Sequence, residues 1–429
     1  MDRTLITPQD IKTLPVEGEG KRSLAVKYLK AFSGDGIRLF IQLFYFYLVA
    51  NTLTIAEFGL FATASSIGIV LSRLAGFGFL SPLYRIATVK PRLIGVYTAG
   101  YLLALMLSLP LVVLISWSVH ALFFAGLMPL VVFAMIVGTE VLCWRTLEAV
   151  INVNKGLEKF GLASIVIVFG FSVKALAALF FALSAEPDLG SWALIYLISQ
   201  ALMAASAIVL FYPRKKLRFV PKLYKRRIPD ALSVSGAEVL FYVQNELDKL
   251  VVLAVGGSTA AGLYSIIMRL VDLTAMPVRT FSTLLTQRLM RKPQLMNSIK
   301  MRVGFEAGVF CISVAAIACI ALALHIKPDL LGNNVAQVAP YMAIVLLVPA
   351  FRNLIEYQAE LLYGRGQSFQ RLLNYFILGI LKAVLLVWLL ATYDTPAEWM
   401  IWINGVFAVL YAASLLLTYT SLKKPAIRI

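Results

Sequence analysis

The sequence has little charge and few of the residues that build metal or disulfide sites. Only 14% of its 429 residues are charged, and it contains three cysteines and two histidines. Cys143, Cys311 and Cys319 lie inside apolar stretches at no metal-ligand spacing, so we interpret them as small buried hydrophobic side chains. With 60% hydrophobic residues and a mean hydropathy of +0.84, the chain has more apolar surface than one soluble core can bury, which excludes a soluble domain.

Three kinds of segment are also missing. The first thirty residues are polar and hold no apolar core followed by a cleavage site, so we expect no signal peptide. The sequence contains no Walker A motif, which leaves no candidate nucleotide-binding domain. The connections on one side of the apolar stretches are too short to form the folded catalytic segment of a glycosyltransferase, polymerase or ligase.

What the sequence does have is a series of apolar stretches, each long enough to cross a hydrocarbon core of about 30 Å. These stretches are 31–52, 58–80, 93–116, 119–144, 160–183, 191–212, 231–256, 260–285, 304–326, 335–362, 369–391 and 397–420. The sequence therefore predicts an all-α polytopic membrane protein with twelve transmembrane helices.

Basic residues are concentrated in alternate connections between these stretches. Segment 213–227 alone contains eight lysines or arginines, whereas the intervening connections together hold one, Lys327. Under the positive-inside rule this alternation predicts that both termini are cytoplasmic. A net charge of +17 can indicate nucleic acid binding, but here the charge is spread over one membrane face. We therefore expect anionic membrane lipids at the cytoplasmic face as partners, and no nucleic acid.

The two halves of the chain resemble each other. Because each half has six spans, an even number, both copies run in the same direction, which predicts a pseudo-two-fold axis along the membrane normal with a site between the halves. We divide the chain into a cytoplasmic amino-terminal arm (1–30), a first six-helix half (31–213), a basic cytoplasmic linker (214–228) and a second six-helix half with a short cytoplasmic tail (229–429). The repeated elements are Ser33-Gly34, Gln42 and Gly59-Leu60-Phe61, which recur 202 to 203 positions later as Ser235-Gly236, Gln244 and Gly262-Leu263-Tyr264.

Two stretches around these elements resemble a known family. AEFGLFATASSIGIVLSRLAGFGF (56–79) and NELDKLVVLAVGGSTAAGLYSIIMRL (245–270) are similar to the repeat signatures of oligosaccharide flippases. These are the O-antigen and exopolysaccharide translocases of the polysaccharide transporter family, within the multidrug/oligosaccharidyl-lipid/polysaccharide exporter superfamily. The quoted motifs cover the opening two spans of each half.

The resemblance implies a multi-pass protein of a bacterial inner membrane that has no catalytic site and needs no cofactor. It would flip an undecaprenyl-diphosphate-linked oligosaccharide from the cytoplasmic to the periplasmic leaflet by alternating access. The resemblance also implies that the protein works beside a polysaccharide polymerase and glycosyltransferases. It does not identify the glycan.

A diphosphate crossing the membrane needs fixed cations in a hydrated cavity, and guanidinium groups suit it because they bind two oxygens at once. A charge at the bilayer centre costs about 2.5–3.5 kcal/mol on insertion scales, so charges inside spans indicate candidate sites. Arg269 has an alternative role in a structural salt bridge to Asp272, and Arg38 and Arg73 are near enough to span ends to snorkel to headgroups. Lys174 and Lys382 are too deep to snorkel easily, so an internal ion pair is the alternative for them. The candidate substrate-binding cations are Arg38, Arg73, Lys174, Arg269 and Lys382.

Acidic residues inside the spans form two groups. Glu238 and Glu306 have no basic neighbour in sequence, which makes them candidate carboxylates for coupling transport to protons. Glu246, Asp248 and Lys249 are close enough to neutralise one another, and we interpret them as a structural charge cluster. Both histidines are isolated in sequence, so no metal site is predicted.

Two other functions fit part of this pattern. A cation-coupled multidrug exporter of the same superfamily has the same twelve-span plan, but its cavity should be net acidic, whereas the mid-span candidates here are basic. A membrane-embedded polysaccharide polymerase or ligase is disfavoured because the outer connections are short. We therefore expect a flippase for O-antigen or exopolysaccharide biosynthesis.

Overall fold

The computed structural model describes residues 38–291 and 299–423, which fold into helices and contain no strand. The predicted amino-terminal arm (1–30), the Ser33-Gly34 element and residues 424–429 lie outside the described residues. In chain order the helices are α1 (38–52), α2 (Ile55–Leu74), α3 (Leu80–Val89), α4 (Ile94–Val119), α5 (Leu130–Gly156), α6 (Phe160–Ala182), α7 (Leu189–Phe211), α8 (Pro221–Glu246), α9 (Asp248–Arg291), α10 (Ile299–Ile326), α11 (Val348–Gly364), α12 (Ser368–Thr392) and α13 (Pro396–Leu422).

Nine helical stretches in the described part of the chain are long and apolar enough to cross a membrane. One of them, Pro221–Ser282, is 62 residues long and contains two spans, because the chain reverses within it. The helix at 38–52 and the broken segment 333–364 occupy the remaining predicted positions. The predicted all-α polytopic membrane fold is confirmed.

The reversal inside α9 occurs at Gly257, whose backbone angles (φ 80°, ψ 179°) are not helical. The phenol of Tyr264 donates to Asp248 Oδ2 at 2.8 Å. In a continuous helix these two residues would be about 24 Å apart, so the two parts of α9 must run back against each other. Only glycine adopts this backbone conformation without strain, which explains its place in the turn GGSTAAG.

Helix α2, which follows the short turn at 53–54, has clear start and stop signals. Thr54 Oγ1 accepts a hydrogen bond from the Glu57 amide at 3.2 Å, and Glu57 Oε2 accepts one from the Thr54 amide at 3.0 Å. This capping box satisfies amide groups that the first turn of a helix leaves unpaired. The helix ends before Gly76 and Gly78, which have positive φ angles of 74° and 69°.

The two halves meet along α2 and the second part of α9, at the glycines of the repeated element. A Cβ atom on Gly59 would overlap the carbonyl oxygen of Ser258. A Cβ atom on Gly262 would overlap the carbonyl oxygen of Ile55. The repeated glycines therefore allow the backbones of the two halves to touch, and each glycine packs against the helix start of the opposite copy.

The connections gather at opposite ends of the helices. At one end the basic linker lies against the start of α4, where the carbonyl oxygen of Lys216 would collide with any side chain on Gly95. At the other end Asn51 Nδ2 donates to the carbonyl oxygen of Leu331 at 2.7 Å. We call these the basic end and the neutral end. The basic end carries the connections expected in the cytoplasm, and that orientation stays a prediction.

The stretch expected as one helix at 335–362 is interrupted in the structure. Two short helical turns, Asn333–Ala336 and Ala339–Met342, precede α11 and are joined to it by an irregular segment. Asn404 of α13 compensates for the break, because its side chain donates to the Ile344 carbonyl oxygen at 2.6 Å and accepts from the Leu347 amide at 3.2 Å. Irregular backbone is tolerated at membrane depth when neighbouring helices satisfy its polar groups in this way.

Candidate substrate-binding site

Charged and hydroxyl side chains cross the middle of the protein where the halves meet. Ser66 on α2 donates to Glu246 Oε2 at 2.9 Å and accepts from Lys249 Nζ at 3.0 Å. Lys249 also contacts Glu246 directly at 2.6 Å. This small network joins the first half to the second and neutralises the charges of Glu246 and Lys249. Its structural role stays a prediction.

Asp248, the third member predicted for that cluster, has a different ionic partner. Lys382 on α12 contacts Asp248 Oδ2 at 2.5 Å, and both side chains are almost fully buried, at 6% and 4% exposure. Tyr264 donates a further hydrogen bond to the same carboxylate oxygen. The ammonium of Lys382, predicted as a substrate-binding cation, is therefore held by Asp248 and is not open to a substrate in this arrangement.

Lys174 occupies the corresponding place on α6, in the first half. Its ammonium donates to the Tyr196 hydroxyl at 2.8 Å, and it lies 4.9 Å from the centre of the Tyr45 ring. Tyr196 in turn donates to Glu140 Oε1 at 2.7 Å, as does Ser65. Lys174 is thus connected to a carboxylate through a tyrosine hydroxyl and has no ion pair within the described residues.

The position of Glu140 depends on a local irregularity in α5. Residues Thr139–Trp144 form a π-helical segment inside that helix. A π-helical turn rotates the side chains that follow it relative to a regular helix, and such turns are frequent at functional sites. Glu140 and Tyr196 were not predicted as site residues, because a single acidic residue in a span looks the same in sequence whether it faces a partner helix or a cavity.

Arg73 and Glu238 belong to a second network, at the basic end. Arg73 contacts Glu148 at 2.7 Å, and Arg145 contacts the same carboxylate at 2.8 Å. Arg145 also lies 3.6 Å from Glu238, and the Arg73 guanidinium lies 4.3 Å from the centre of the Tyr242 ring. With 5% exposure Arg73 does not snorkel to headgroups, and Glu238 has a cationic partner that its sequence neighbours did not reveal.

Arg38 lies at the beginning of α1. Its guanidinium is half-buried and stacks 5.1 Å from the centre of the Phe171 ring on α6. Stacking of this kind favours a guanidinium over an ammonium, because the planar group lies flat on the aromatic face. Contact with an aromatic ring inside the bundle distinguishes Arg38 from a side chain that extends to the headgroups.

Arg269 differs from the other four candidates. It is half-buried on α9, and among the described residues it has neither a hydrogen bond nor an ion pair. The salt bridge to Asp272 considered from the sequence is not formed, because Asp272 binds Arg352 at 2.8 Å. Arg269 remains within electrostatic range of Asp272 without contacting it, and it is also within range of Tyr45 and Lys174 of the first half. Its positive charge therefore lies between the two halves.

A polar cavity of about 250 Å³ adjoins this region in the second half. Arg279 and Glu356 form one ion pair in its wall, with a bidentate contact at 2.7 and 2.9 Å. Arg371 and Glu360 form another at 2.7 Å. The rings of Phe241 and Tyr375 complete the lining, so the cavity offers fixed charges, hydrogen-bonding groups and aromatic faces together. Because each arginine faces a glutamate, this cavity suits a polar neutral group better than a free anion.

Glu306 on α10 is held by neutral groups alone. The phenols of Tyr411 and Tyr419 donate to it at 3.0 and 2.8 Å, and Gln358 Nε2 donates at 3.2 Å. Among the described residues it has no ion pair.

The described residues do not assemble a metal site. Nowhere in 38–291 or 299–423 do three histidine, cysteine or acidic side chains come close enough to share an ion. Cys143 is buried, as expected, but Cys311 and Cys319 are exposed on α10. The prediction that all three cysteines are buried is therefore wrong for those two, since α10 presents an apolar outer surface that a bilayer would cover.

The described residues thus form two packed halves of membrane helices with charged networks between them. No family model matches the chain, and no curated protein sequence does, but several solved structures share the fold. An inward-facing multidrug resistance MATE family transporter of the MOP superfamily aligns over 89% of this chain and 94% of its own, with 15% identity and a TM-score of 0.65.

Two further solved structures have the same fold. An outward-facing multidrug resistance MATE family transporter covers 91% of this chain and 93% of its own, at 14% identity and a TM-score of 0.54. A MOP superfamily transporter from Pyrococcus furiosus, described as having a binding pocket of reverse polarity that suggests a different function, covers 90% and 98%, at 14% identity and a TM-score of 0.53. These likenesses show that the chain shares the fold of these three structures.

Proposed function

We propose that the protein is a membrane transporter that flips an undecaprenyl-diphosphate-linked oligosaccharide across a bacterial inner membrane by alternating access. The observation that carries this proposal is the environment of Arg269. Its guanidinium lies between the halves and forms no ion pair within 38–291 or 299–423, while the neighbouring Lys382, Lys249 and Arg352 are each bound by a carboxylate. A charge kept unpaired inside a membrane protein needs either water or an anionic ligand.

The diphosphate suits this position on electrostatic grounds. A guanidinium binds two phosphate oxygens through parallel hydrogen bonds, and a partly dehydrated cavity strengthens that attraction relative to water. Lys174 supplies a second positive charge close by, because it reaches Glu140 only through the Tyr196 hydroxyl. A cationic drug would meet repulsion at the same place.

The glycan and the lipid tail have separate requirements. The cavity that holds the Arg279–Glu356 and Arg371–Glu360 pairs offers donors and acceptors to sugar hydroxyls and two aromatic rings for stacking. The apolar tail can stay in the bilayer throughout. The protein would then shield only the polar part of the substrate from hydrocarbon.

Alternating access requires contacts between the halves that can break at either end. At the neutral end Asn334 Nδ2 donates to the carbonyl oxygens of Ala50 and Leu53 at 2.7 and 2.6 Å. At the basic end Arg145 lies 3.6 Å from Glu238, whose side chain is 39% exposed. Rocking the halves would open one of these ends while the other stays closed.

Of the two candidate coupling carboxylates, we propose Glu306 as the one that exchanges a proton. Glu238 faces the Arg145 guanidinium, whereas Glu306 accepts its hydrogen bonds from neutral groups and forms no ion pair among the described residues. The Arg302 guanidinium lies close to this group, 5.5 Å from the centre of the Tyr419 ring. In proteoliposomes with an imposed pH gradient, Glu306→Gln should abolish the dependence of transport on that gradient, and Glu238→Gln should keep it. The reverse pattern would assign the coupling role to Glu238.

A cation-coupled multidrug exporter is the second candidate. It is favoured by the shared fold with multidrug resistance transporters and by the two carboxylates, Glu140 and Glu306, that bind hydroxyl groups rather than cations. Against it stands the unpaired Arg269. The two candidates predict substrates of opposite charge, so one binding experiment separates them.

That experiment compares binding of undecaprenyl diphosphate and of a lipophilic cationic dye to the purified protein in nanodiscs. We expect the wild-type protein to bind the diphosphate lipid, and Arg269→Ala to weaken that binding about 10- to 100-fold, since a hydrogen bond to a charged group contributes about 1.5–3 kcal/mol. Lys327→Ala, which removes an exposed cation at the neutral end, is the matched control and should bind normally. Binding of the dye but not the diphosphate would identify an exporter. Unchanged binding by Arg269→Ala would exclude the role given to Arg269.

A further inference from the structure

A second cavity, of about 350 Å³, lies at the basic end of the first half, apart from the central charges. It is enclosed by α4, α5, α7 and the linker segment that follows α7. Its size falls within the range of about 300–1,000 Å³ that is usual for small-ligand pockets. The proposed transport mechanism makes no use of it.

The walls of this cavity are mainly apolar and reach the outer surface of the protein. Leu105 lies inside, while Leu102 and Ile208 at its border are 40% and 46% exposed. Exposed leucine and isoleucine side chains on membrane helices face acyl chains. The cavity is therefore open to the bilayer, and a hydrocarbon chain can enter it without crossing water.

The mouth of the cavity is basic. Arg214 and Lys215 line it, both are exposed, and neither forms an ion pair among the described residues. The backbone that carries them is fixed, because the Lys216 carbonyl oxygen packs against Gly95 and the Tyr224 phenol donates to the Val96 carbonyl oxygen at 2.8 Å. Two unpaired cations are thus held at the level where lipid headgroups lie.

A buried hydroxyl without a partner also lines the cavity. Tyr101 is only 4% exposed, and its phenolic oxygen has no hydrogen bond within the described residues. The nearby hydroxyls of Thr98 and Tyr212 are already bonded to each other at 2.6 Å, so they do not satisfy it. Leaving a buried hydroxyl unpaired costs about 1–3 kcal/mol, which a bound ligand with an oxygen acceptor would recover.

From these features we infer that the cavity binds one anionic phospholipid of the adjacent leaflet, with its phosphate at Arg214 and Lys215 and an acyl chain beside Leu105. The Tyr101 hydroxyl is covered by protein in this structure, so it donates to an oxygen of the glycerol esters or of the phosphate only when the bound lipid displaces the side chains that cover it. A glycan does not fit the apolar walls, and a cationic amphiphile is repelled at the mouth. The site does not depend on the substrate proposed for the central cavity.

Native mass spectrometry of the full-length protein tests this site with two lipids that share the same acyl chains, phosphatidylglycerol and phosphatidylcholine. We expect one phosphatidylglycerol to bind about ten-fold more tightly than phosphatidylcholine. Arg214→Ala/Lys215→Ala should remove that preference, and Leu105→Trp, which fills the cavity and leaves both cations in place, should remove the bound lipid. Tyr101→Phe should weaken binding a few-fold.

The matched control is Arg218→Ala/Lys222→Ala, which removes two exposed cations of the same linker outside the cavity. It should bind phosphatidylglycerol like the wild-type protein. Equal binding of the two lipids, a normal lipid count for Leu105→Trp, or an equal loss in the control would each overturn the proposal. Displacement of phosphatidylglycerol by an equimolar amount of undecaprenyl phosphate would also overturn it, and would assign the cavity to the transport substrate.

Discussion

Each half has a lysine on its fifth membrane helix, but the two lysines have different partners. Lys174 on α6 contacts aromatic side chains of α1 and α7. Lys382 on α12 contacts Asp248 at the start of α9 and Phe407 on α13. Lys382 is bound directly by Asp248 at 2.5 Å. Lys174 instead reaches its carboxylate through the hydroxyl of Tyr196.

The difference assigns different roles to the two halves. The buried, direct ion pair between Lys382 and Asp248 fixes α12 to the rest of the second half, because separating the two side chains leaves two uncompensated charges. The hydrogen bonds that link Lys174 to Glu140 through Tyr196 can rearrange without separating two directly contacting charges. We therefore interpret the Lys382–Asp248 pair as scaffold, and the Lys174–Tyr196–Glu140 chain as the part that responds when Arg269 nearby binds an anion.

The largest effect is expected from breaking the second-half pair. Asp248→Asn leaves the Lys382 ammonium buried without a counter-charge and should lower the free energy of unfolding in detergent by about 3–5 kcal/mol. Asp248→Asn/Lys382→Met removes both charges and should recover most of that loss, which thermal unfolding of the three proteins would show. A double variant as unstable as the single one would mean that the pair is not what stabilises this region.

An intermediate effect is expected from Tyr196→Phe in the first half. It removes the hydroxyl that connects Lys174 to Glu140 and should cost about 1–3 kcal/mol, because two buried groups lose their shared partner. Tyr264→Phe is the matched change in the second half and should cost about 0.5–1.5 kcal/mol, since Asp248 keeps its lysine. The same unfolding measurement compares them. Equal losses of unfolding free energy for Tyr196→Phe and Tyr264→Phe would mean that the two tyrosines are equally important in their halves.

The smallest effect on stability is expected from Arg269→Ala. Because Arg269 has no ion pair or hydrogen bond among the described residues, its loss should change the free energy of unfolding by no more than about 0.5 kcal/mol. A loss of several kcal/mol in the same unfolding assay would show that Arg269 is part of the scaffold. Arg352→Ala, which leaves Asp272 without its partner, should be much more destabilising and serves as the comparison.

Much of the fold could be predicted from the sequence because it depends on local patterns. The lengths of the apolar stretches predicted the helices, and the repeated Gly59 and Gly262 elements indicated which parts of the two halves are related. The break before α11 was not predicted, although Pro340 and Pro349 stand at the starts of the helical pieces on either side of it. Proline is common in membrane helices, and Asn404, which satisfies the broken backbone, lies in another helix. A partner distant in sequence leaves no local signal.

The candidate site could be predicted only in part for the same reason. Single-residue chemistry identified Arg269, Lys174 and Lys382 as unusual, since charges inside spans are costly. Which of them are neutralised depends on pairs that join different helices, such as Lys382 with Asp248. The sequence pattern suggested Asp272 for Arg269 because the two are one turn apart, but the structure pairs Asp272 with Arg352.

The most direct test of the role proposed for Arg269 is translocation in a bacterial strain that depends on this protein for its surface glycan. Arg269→Ala and Arg269→Lys are compared with the wild-type protein at equal expression and membrane insertion. We expect Arg269→Ala to abolish surface glycan while the lipid-linked oligosaccharide accumulates on the inner leaflet, and Arg269→Lys to retain part of the activity as a cation without the planar fork. Full surface glycan in the Arg269→Ala strain would contradict the account.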